Sequence, residues 1–315
     1  MTNLTDSMFH DEDAARAHLE KLRWPHGPIC PHCGSVVGIT RLDGKSHRAG
    51  LHQCNACRDN FTVTVGTVME RSHISLAKWV LGFHLMAASK KGISSAQLSR
   101  MLGITYKSAW FMSHRIREAM TDANPSPLGG EGKIVEADEA YHGKKETPVP
   151  SPNRRGRPYI KKGKAAEKRV IIGLVERGGQ ARAVHLMKRA TAENVREILV
   201  THADRASRLH TDESRLYPTL GKEFATHETV NHGAKEYARG DVTTNSVEGF
   251  FGVFKRGMTG VYQHCGEQHF QRYLNEFTFR YNHRVKLGVN DTERAALAIR
   301  GAVGKRLTYQ GTRAA

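Results

Sequence analysis

The chain has 315 residues, 39% of them hydrophobic and 25% charged, enough for two or three folding units with real cores and too apolar for a disordered chain. Lysine and arginine number 48 against 31 acids, a formal net charge of +17, which points to a polyanionic partner, nucleic acid ahead of anionic lipid. No window approaches the roughly 18 apolar residues of a spanning helix, and the opening MTNLTDSMFHDEDAARAH is acidic and polar where a secretion signal is basic and then apolar. The expectation is a cytoplasmic, nucleoid-associated protein with no membrane partner.

Asp11 is placed to cap a short helix, EDAARAHLEKLRW, whose Leu19, Leu22 and Trp24 form an apolar edge. Cys30 and Cys33 are followed by Cys54 and Cys57, two C-x2-C pairs in the turn-like segments CPHCG and CNACR. At this spacing a hairpin can bring two thiolate pairs to one tetrahedral zinc. Four thiolates leave no open position, so one structural Zn2+ is expected; two disulfides are the competing reading, disfavoured where thiols stay reduced. His26, His32 and His52 lie close enough in sequence to replace a cysteine, and Cys265 stands apart as a free thiol. Residues 1–70 read as an N-terminal helix and zinc ribbon.

Residues 71–122 turn to helical periodicity. Ala96, Leu98, Met101 and Leu102 form one apolar face, Gly103 breaks the chain, and a second helix from about Thr105 carries Trp110 and Ile116 with basic Lys107, His114, Arg115 and Arg117. This is a helix-turn-helix pattern, with Tyr106, Lys107 and Ser108 at the leading end of a helix suited to a major groove and His114 and Arg115 further along it. An antiparallel helix pair packed for stability is the alternative. The stretch ANPSPLGGEGK, 123–133, reads as a linker.

From 134 to 290 the strand candidates IVEADEAY, KRVIIGLVER and ARAVHLMKR precede a helix, TAENVREILVTHAD. Further strands, SRLHTDES and FATHETVNH, and further helices follow. The order implies an α/β domain with a mixed sheet flanked by helices, and fits a ribonuclease-H-like catalytic domain. It carries a basic insertion, 142–169: residues 144–169 hold ten Lys or Arg, two Glu and four Pro. That composition cannot bury a core, so Arg154, Arg155, Arg157, Lys161 and Lys162 are expected to follow DNA, or merely to be solvated. Residues 291–315 read as a C-terminal helix and basic tail.

Asp138 sits inside an apolar strand and Asp212 ends another, settings costly for a carboxylate unless it meets a cation. Strand alternation puts Glu136 and Asp138 on one face and Glu139 on the other, so Asp138 is chosen over Glu139 as the site carboxylate. In TTNSVEGFFGVFKRG, Thr243 or Thr244 can cap a helix on which Asn245, Glu248 and Gly252 share a face, as do Glu248 and Lys255. The aromatic stripe Phe270, Tyr273, Leu274, Phe277, Tyr281 is core-facing, with Arg272, Arg280, His283 and Arg284 on the other faces.

Asp138, Asp212, Glu248 and Lys255, together with the zinc ribbon and the blocks VEADEAYHGKK, HTDE and TTNSVEGFFGVFKRGMTGVYQH, resemble the DDE-type bacterial insertion-sequence transposases of the ISXO2-like family. The resemblance covers nearly the whole chain. It implies a ribonuclease-H-like core, double-stranded DNA as partner, and at least a dimer on DNA. The implied reaction is release of a 3′-hydroxyl by water at the element's ends, followed by attack of that hydroxyl on target DNA. Two Mg2+ or Mn2+ ions per site would stabilise the attacking and leaving oxygens, with Asp138 bridging both, Asp212 holding one and Glu248 the other. The family's third ligand is Glu or Asn; an anionic oxygen suits a hard cation better, which favours Glu248 over Asn245. Lys255 and Arg256 are expected on phosphate. The alternatives are a catalytically silent, domesticated DNA-binding regulator and a metal-dependent nuclease without strand transfer.

Overall fold

The Asp11 side chain accepts the Ala14 amide at 2.7 Å and so starts α1 (Glu12–Arg23) with Glu12 and Asp13 in the first turn and Lys21 and Arg23 in the last, which suits the helix dipole at both ends. The computed structural model describes residues 3–144, 149–150, 158–159, 168–187 and 190–308. They fall into two units, one made of residues up to 122 together with those from 283 onward, the other of residues 123–282.

In the first unit β1 (Ile39–Leu42), β2 (Leu51–Cys54) and β3 (Asn60–Phe61) form an antiparallel meander. The Trp24 ring meets His52 and Phe61 edge-on, and those two rings stack on each other at 5.5 Å. His52 therefore serves as packing between ribbon and helix. Next come α2 (Leu76–Ala88), whose Trp79, Phe83 and Met86 are fully buried, α3 (Ser95–Leu102) and α4 (Tyr106–Ala119). Gly103 ends α3 at φ 57°, a left-handed conformation that favours glycine. Two residues later Thr105 caps α4 by accepting the Ser108 amide at 3.2 Å.

One face of α4 differs from the sequence expectation. His114 is 1% exposed, with its ring 4.3 Å from that of Trp110, and Arg117 is fully buried. Arg115 is half-buried and donates to the Glu70 carbonyl at 3.2 Å. Because α4 packs against α2, α3 and a helix near the C-terminus, its buried arc is wider than a single amphipathic stripe, and it takes in positions that periodicity assigns to the outside.

The second unit contains β4 (Ile134–Lys144), a small ribbon of β5 (Val149–Pro150) and β6 (Pro158–Tyr159), β7 (Lys168–Glu176), β8 (Ala181–Leu186), α5 (Ala192–His202), β9 (Arg208–Thr211), β10 (Thr226–Thr229), α6 (Asn245–Gly257) and α7 (Phe270–Asn282). Its five-stranded sheet runs β10-β9-β4-β7-β8. The β4–β7 and β7–β8 pairs are antiparallel; β9 is parallel to both β4 and β10. Val135, Ala137 and Leu174 pack toward Val195 and Leu199 of α5 on one face. On the other, Ala140 and Ile171 meet Val247, Phe250 and Phe254 of α6 and Phe270, Leu274 and Phe277 of α7. With both faces covered, the strands are apolar nearly throughout, which makes each acid on β4 conspicuous. Arg280 of α7, expected on an outer face, is 6% exposed and ion-paired with buried Glu276 one turn earlier; pairing is what makes that burial tolerable.

The chain then returns to the first unit. α8 (Asp291–Arg300) opens with a capping box from Asn290 and Glu293 and packs on α2. Arg294 fastens it by donating to the Ala87 carbonyl at 3.2 Å, and Lys305 donates to the Glu118 carbonyl at 3.1 Å. Among the described residues no helix is long and apolar enough to cross a membrane.

Candidate metal centres and active site

The two cysteine pairs form matched turns. The Cys30 carbonyl accepts the Gly34 amide at 2.9 Å and the Cys54 carbonyl the Arg58 amide at 2.8 Å. Each turn closes on a left-handed residue, Gly34 at φ 77° and Arg58 at φ 64°. The turns face each other so that Cys30 and Cys57 have sulfurs 3.6 Å apart, as do Cys33 and Cys54. A tetrahedral zinc with bonds of about 2.3 Å separates its sulfurs by roughly 3.8 Å, whereas a disulfide needs about 2.05 Å. The four thiols are free and their sulfurs all lie within 4.8 Å of one another, with no histidine in the group. The donor set fits a closed zinc site.

The second cluster is assembled by strand order. β9 pairs with β4 through Glu136, opposite His210, and ends at Thr211. Asp212 follows, two residues past His210 just as Asp138 is two past Glu136, so the two aspartates come abreast where the strands part. Glu139 joins them: a carboxylate oxygen from each of Asp138, Glu139 and Asp212 lies within 4.8 Å of the others. Alternation correctly separates the two β4 acids by face, but not by reach. Beyond Glu136 no β9 partner runs alongside that edge of β4, and side chains from both faces can meet over it. Glu139 is the residue that a face-counting argument discards.

The cluster is electrostatically strained. Burial, and then the Asp212 charge, push the Asp138 carboxyl up to about 6 and that of Glu139 up to about 7. Burial likewise raises Asp212. Two backbone amides soften this: Asp138 accepts that of Glu139 at 2.7 Å, and Asp212 that of Ser214 at 3.0 Å. Glu139 Oε1 and the hydroxyl of Tyr217, a residue with no exposed surface, are buried beside each other with no other hydrogen-bond partner. Burial and the neighbouring Glu139 charge raise that phenol well above its ordinary value. Buried polar atoms are nearly always paired. Three converging acids whose oxygens meet so few donors fit a divalent cation, whose hard charge takes oxygen ligands.

α6 supplies the remaining expected residues. Glu248 is exposed; its carboxylate accepts the Thr244 hydroxyl at 2.7 Å and stands 3.7 Å from His232 Nε2. Thr244 occupies the cap position without capping, its hydroxyl being committed to Glu248. The charges of Glu248 and Lys255 both act on Asp138, the first raising and the second lowering its pKa, so both stand near the acids while lying outside the tight group. Asn245 is exposed at the first turn, and Arg256 is exposed beside Lys255, whose ammonium stands 5.9 Å from the Phe251 ring. The helix lies close because of Gly173, which is opposite Asp138 on β7: a Cβ there would come 2.4 Å from Phe251.

His232 is a neighbour that sequence offered no reason to select. Its turn is held by Glu213, whose carboxylate accepts the His232 and Gly233 amides at 2.8 and 2.9 Å. Of the expected DNA contacts, Tyr106 is 59% exposed, Lys107 is exposed and Ser108 is partly so. Arg154, Arg155, Arg157, Lys161 and Lys162 lie outside the described residues.

Fold and sites together define a zinc-ribbon protein with a cluster of three acids at the parting of two sheet strands. Residues 127–282 match the ISXO2-like transposase domain and residues 10–60 the transposase zinc-ribbon domain, together more than half of the chain. The chain belongs to the ISXO2-like transposase family, with the DDE-type acids and the four-cysteine site of an insertion-sequence protein. It is 29% identical over 277 residues to an uncharacterized protein in transposable element ISH50 of Halobacterium salinarum, covering 86% of this chain and 91% of that one. Among solved structures it is similar to a Mos1 transposase paired-end complex with left transposon end, at 12% identity and a TM-score of 0.30, covering 71% of this chain and 74% of that one. The Mos1 strand transfer complex scores 0.29 at 12% identity, covering 70% and 75%.

Proposed function

We propose that the chain is an active DNA transposase that binds the terminal inverted repeats of its own insertion sequence, cleaves them by metal-dependent hydrolysis and joins the freed 3′-hydroxyl to target DNA. The observation that carries this reading is the convergence of Asp138, Glu139 and Asp212 where β9 parts from β4. The sheet order supports a ribonuclease-H-like core: three antiparallel strands with β4 first, then two parallel strands on its other side.

Asp138 and Asp212 would hold the cations, Mg2+ or Mn2+ and two per site, with Glu248 completing the set. A carboxylate oxygen within 4.8 Å of those of both aspartates favours Glu139 as a further ligand. Bound there, the ions would activate the attacking water and stabilise the leaving oxygen. Lys255, displayed on the same helix as Glu248, would grip a phosphate, and Asn245 would orient its neighbours. Tyr106, Lys107 and Ser108 at the exposed start of α4 would meet a major groove as the leading end of a helix-turn-helix, with structural zinc stiffening the ribbon. Synapsis of two ends would require at least a dimer.

The test is to incubate the purified protein with Mg2+ or Mn2+ and DNA carrying the repeats that flank its gene. Cleaved ends and joined products are expected. Cleavage without joining would make it a nuclease, and binding without cleavage a DNA-binding regulator.

A further inference from the structure

Of the three acids on β4, one takes no part in the metal cluster. Glu136 has no exposed surface, and a buried carboxylate is costly unless its oxygens are fully paired. Both are. Oε1 accepts Arg177 Nε at 2.9 Å, Arg177 Nη2 at 2.8 Å and the Ser246 hydroxyl at 3.0 Å; Oε2 accepts the backbone amides of Ser246 at 2.7 Å and Val247 at 3.2 Å. Those amides belong to the first turn of α6, where helix donors have no partner of their own. The usual cap is missing because Thr244 is turned to Glu248. The helix is instead capped by a strand residue 110 positions earlier in the chain. Arg177 reinforces the joint by donating to the Asp241 carbonyl at 2.6 Å and the Thr243 hydroxyl at 3.2 Å, both on the segment that leads into α6.

We propose that Glu136, held by Arg177, is the positioning residue that sets Glu248 and Lys255 against Asp138. Glu136 is the last β4 residue paired with β9, and Asp138 projects from the same face two residues on. The start of α6 is thus pinned to the final paired rung, and the acids lie just past it. Strand pairing fixes Asp138 and Asp212 with respect to each other; the Glu136 joint fixes the helix with respect to both. Loosening it leaves the aspartates in place and frees Glu248.

This inference rests on the catalytic reading above for its effect on cleavage, but the joint itself can be measured without activity. In Glu136→Gln, and in Arg177→Lys at a partly exposed position, hydrogen exchange at residues 245–249 should quicken by about tenfold, the factor for a cap of roughly 1.4 kcal/mol, while exchange in β7 stays unchanged. Cleavage by Glu136→Gln should fall about 10- to 100-fold in kcat, with KM for the DNA ends within about threefold of wild type. Combined with Glu248→Gln, it should cost clearly less than it does in the wild type, since the Glu248 contribution is already gone and only that of Lys255 is left to lose. Wild-type exchange in the first turn of α6 for both variants would overturn the proposal, as would multiplicative losses in the double variant. Failure of both variants to fold would also overturn it, by making the joint a requirement for folding. If Asp138→Asn cleaves normally the catalytic reading falls, and the exchange measurement still decides whether the joint exists.

Discussion

The two metal centres are built on opposite plans. The cysteine site draws its ligands from two tight turns of the same motif, 24 positions apart at the pair starts Cys30 and Cys54, and four thiolates close it. The acid cluster takes adjacent residues of one strand and a third from the end of another, with Tyr217 behind them and a helix set over them. A closed site of soft ligands stabilises a domain too small to do so by burial alone. A site of crowded carboxylates destabilises its domain, a cation bound there would relieve the crowding, and that poise is what the proposed phosphodiester chemistry needs.

The largest effect expected from this contrast is loss of zinc. Small zinc modules owe about 10 to 16 kcal/mol of apparent binding energy to the metal, so chelation should release one equivalent of zinc and unfold residues 10–60. The second unit should keep its far-ultraviolet and exchange signatures. A ribbon that stays ordered after chelation, or a preparation with no zinc, would remove the distinction between the sites.

Next in size is the acid cluster. Asp138→Asn or Asp212→Asn should lower end cleavage by about a thousandfold or more, of the order of 4 kcal/mol in the barrier, with binding to the ends retained. Neither variant should destabilise the metal-free protein. Full activity in either, in the cleavage assay, would break the assignment.

A third, smaller effect concerns pH. Asp138 titrates at about 6 and Glu139 at about 7 in the folded protein, both above their ordinary values of 3.8 and 4.5. The folded state therefore holds these protons more tightly than the unfolded one. The associated stability is fully present below about 4, declines as pH rises and is gone once pH has passed about 6 to 7. In metal-free protein the second unit should lose on the order of 1 to 3 kcal/mol over that window relative to Asp138→Asn. Saturating Mg2+ should flatten the difference. Melting temperature against pH, with and without metal, checks this; parallel curves for wild type and variant would count against the crowding.

Smallest is Gly173→Ala. The added methyl would meet Phe251 and lift α6 from the sheet, at a cost of about 1 to 3 kcal/mol for overpacking. Thermal denaturation should show a drop of several degrees. An unchanged melting temperature would mean that α6 is not seated as closely as the geometry states.

Much of the fold was legible because its signals are local. Asp11, Thr105 and Asn290 cap the helices they precede, and Gly103 ends one as its position suggests. The strand segments emerged as β4, β7, β8, β9 and β10 because continuous apolar runs bounded by turn residues have few other uses. Local rules also misled. The periodicity of α4 put His114 outside, although neighbours on several sides bury it, and strand alternation set Glu139 aside.

Sequence alone singled out the four cysteines that the fold brings together, since two C-x2-C turns on one hairpin face a common centre, and it marked Asp138 and Asp212 as acids needing a reason. Tertiary structure decided that Glu139 shares their site, that Glu136 caps a helix 110 residues away and that α8 packs on α2. The reason is one of range. Spacing along a chain constrains neighbours within a turn or a hairpin, whereas the meeting of distant side chains depends on which strands lie side by side and where they part.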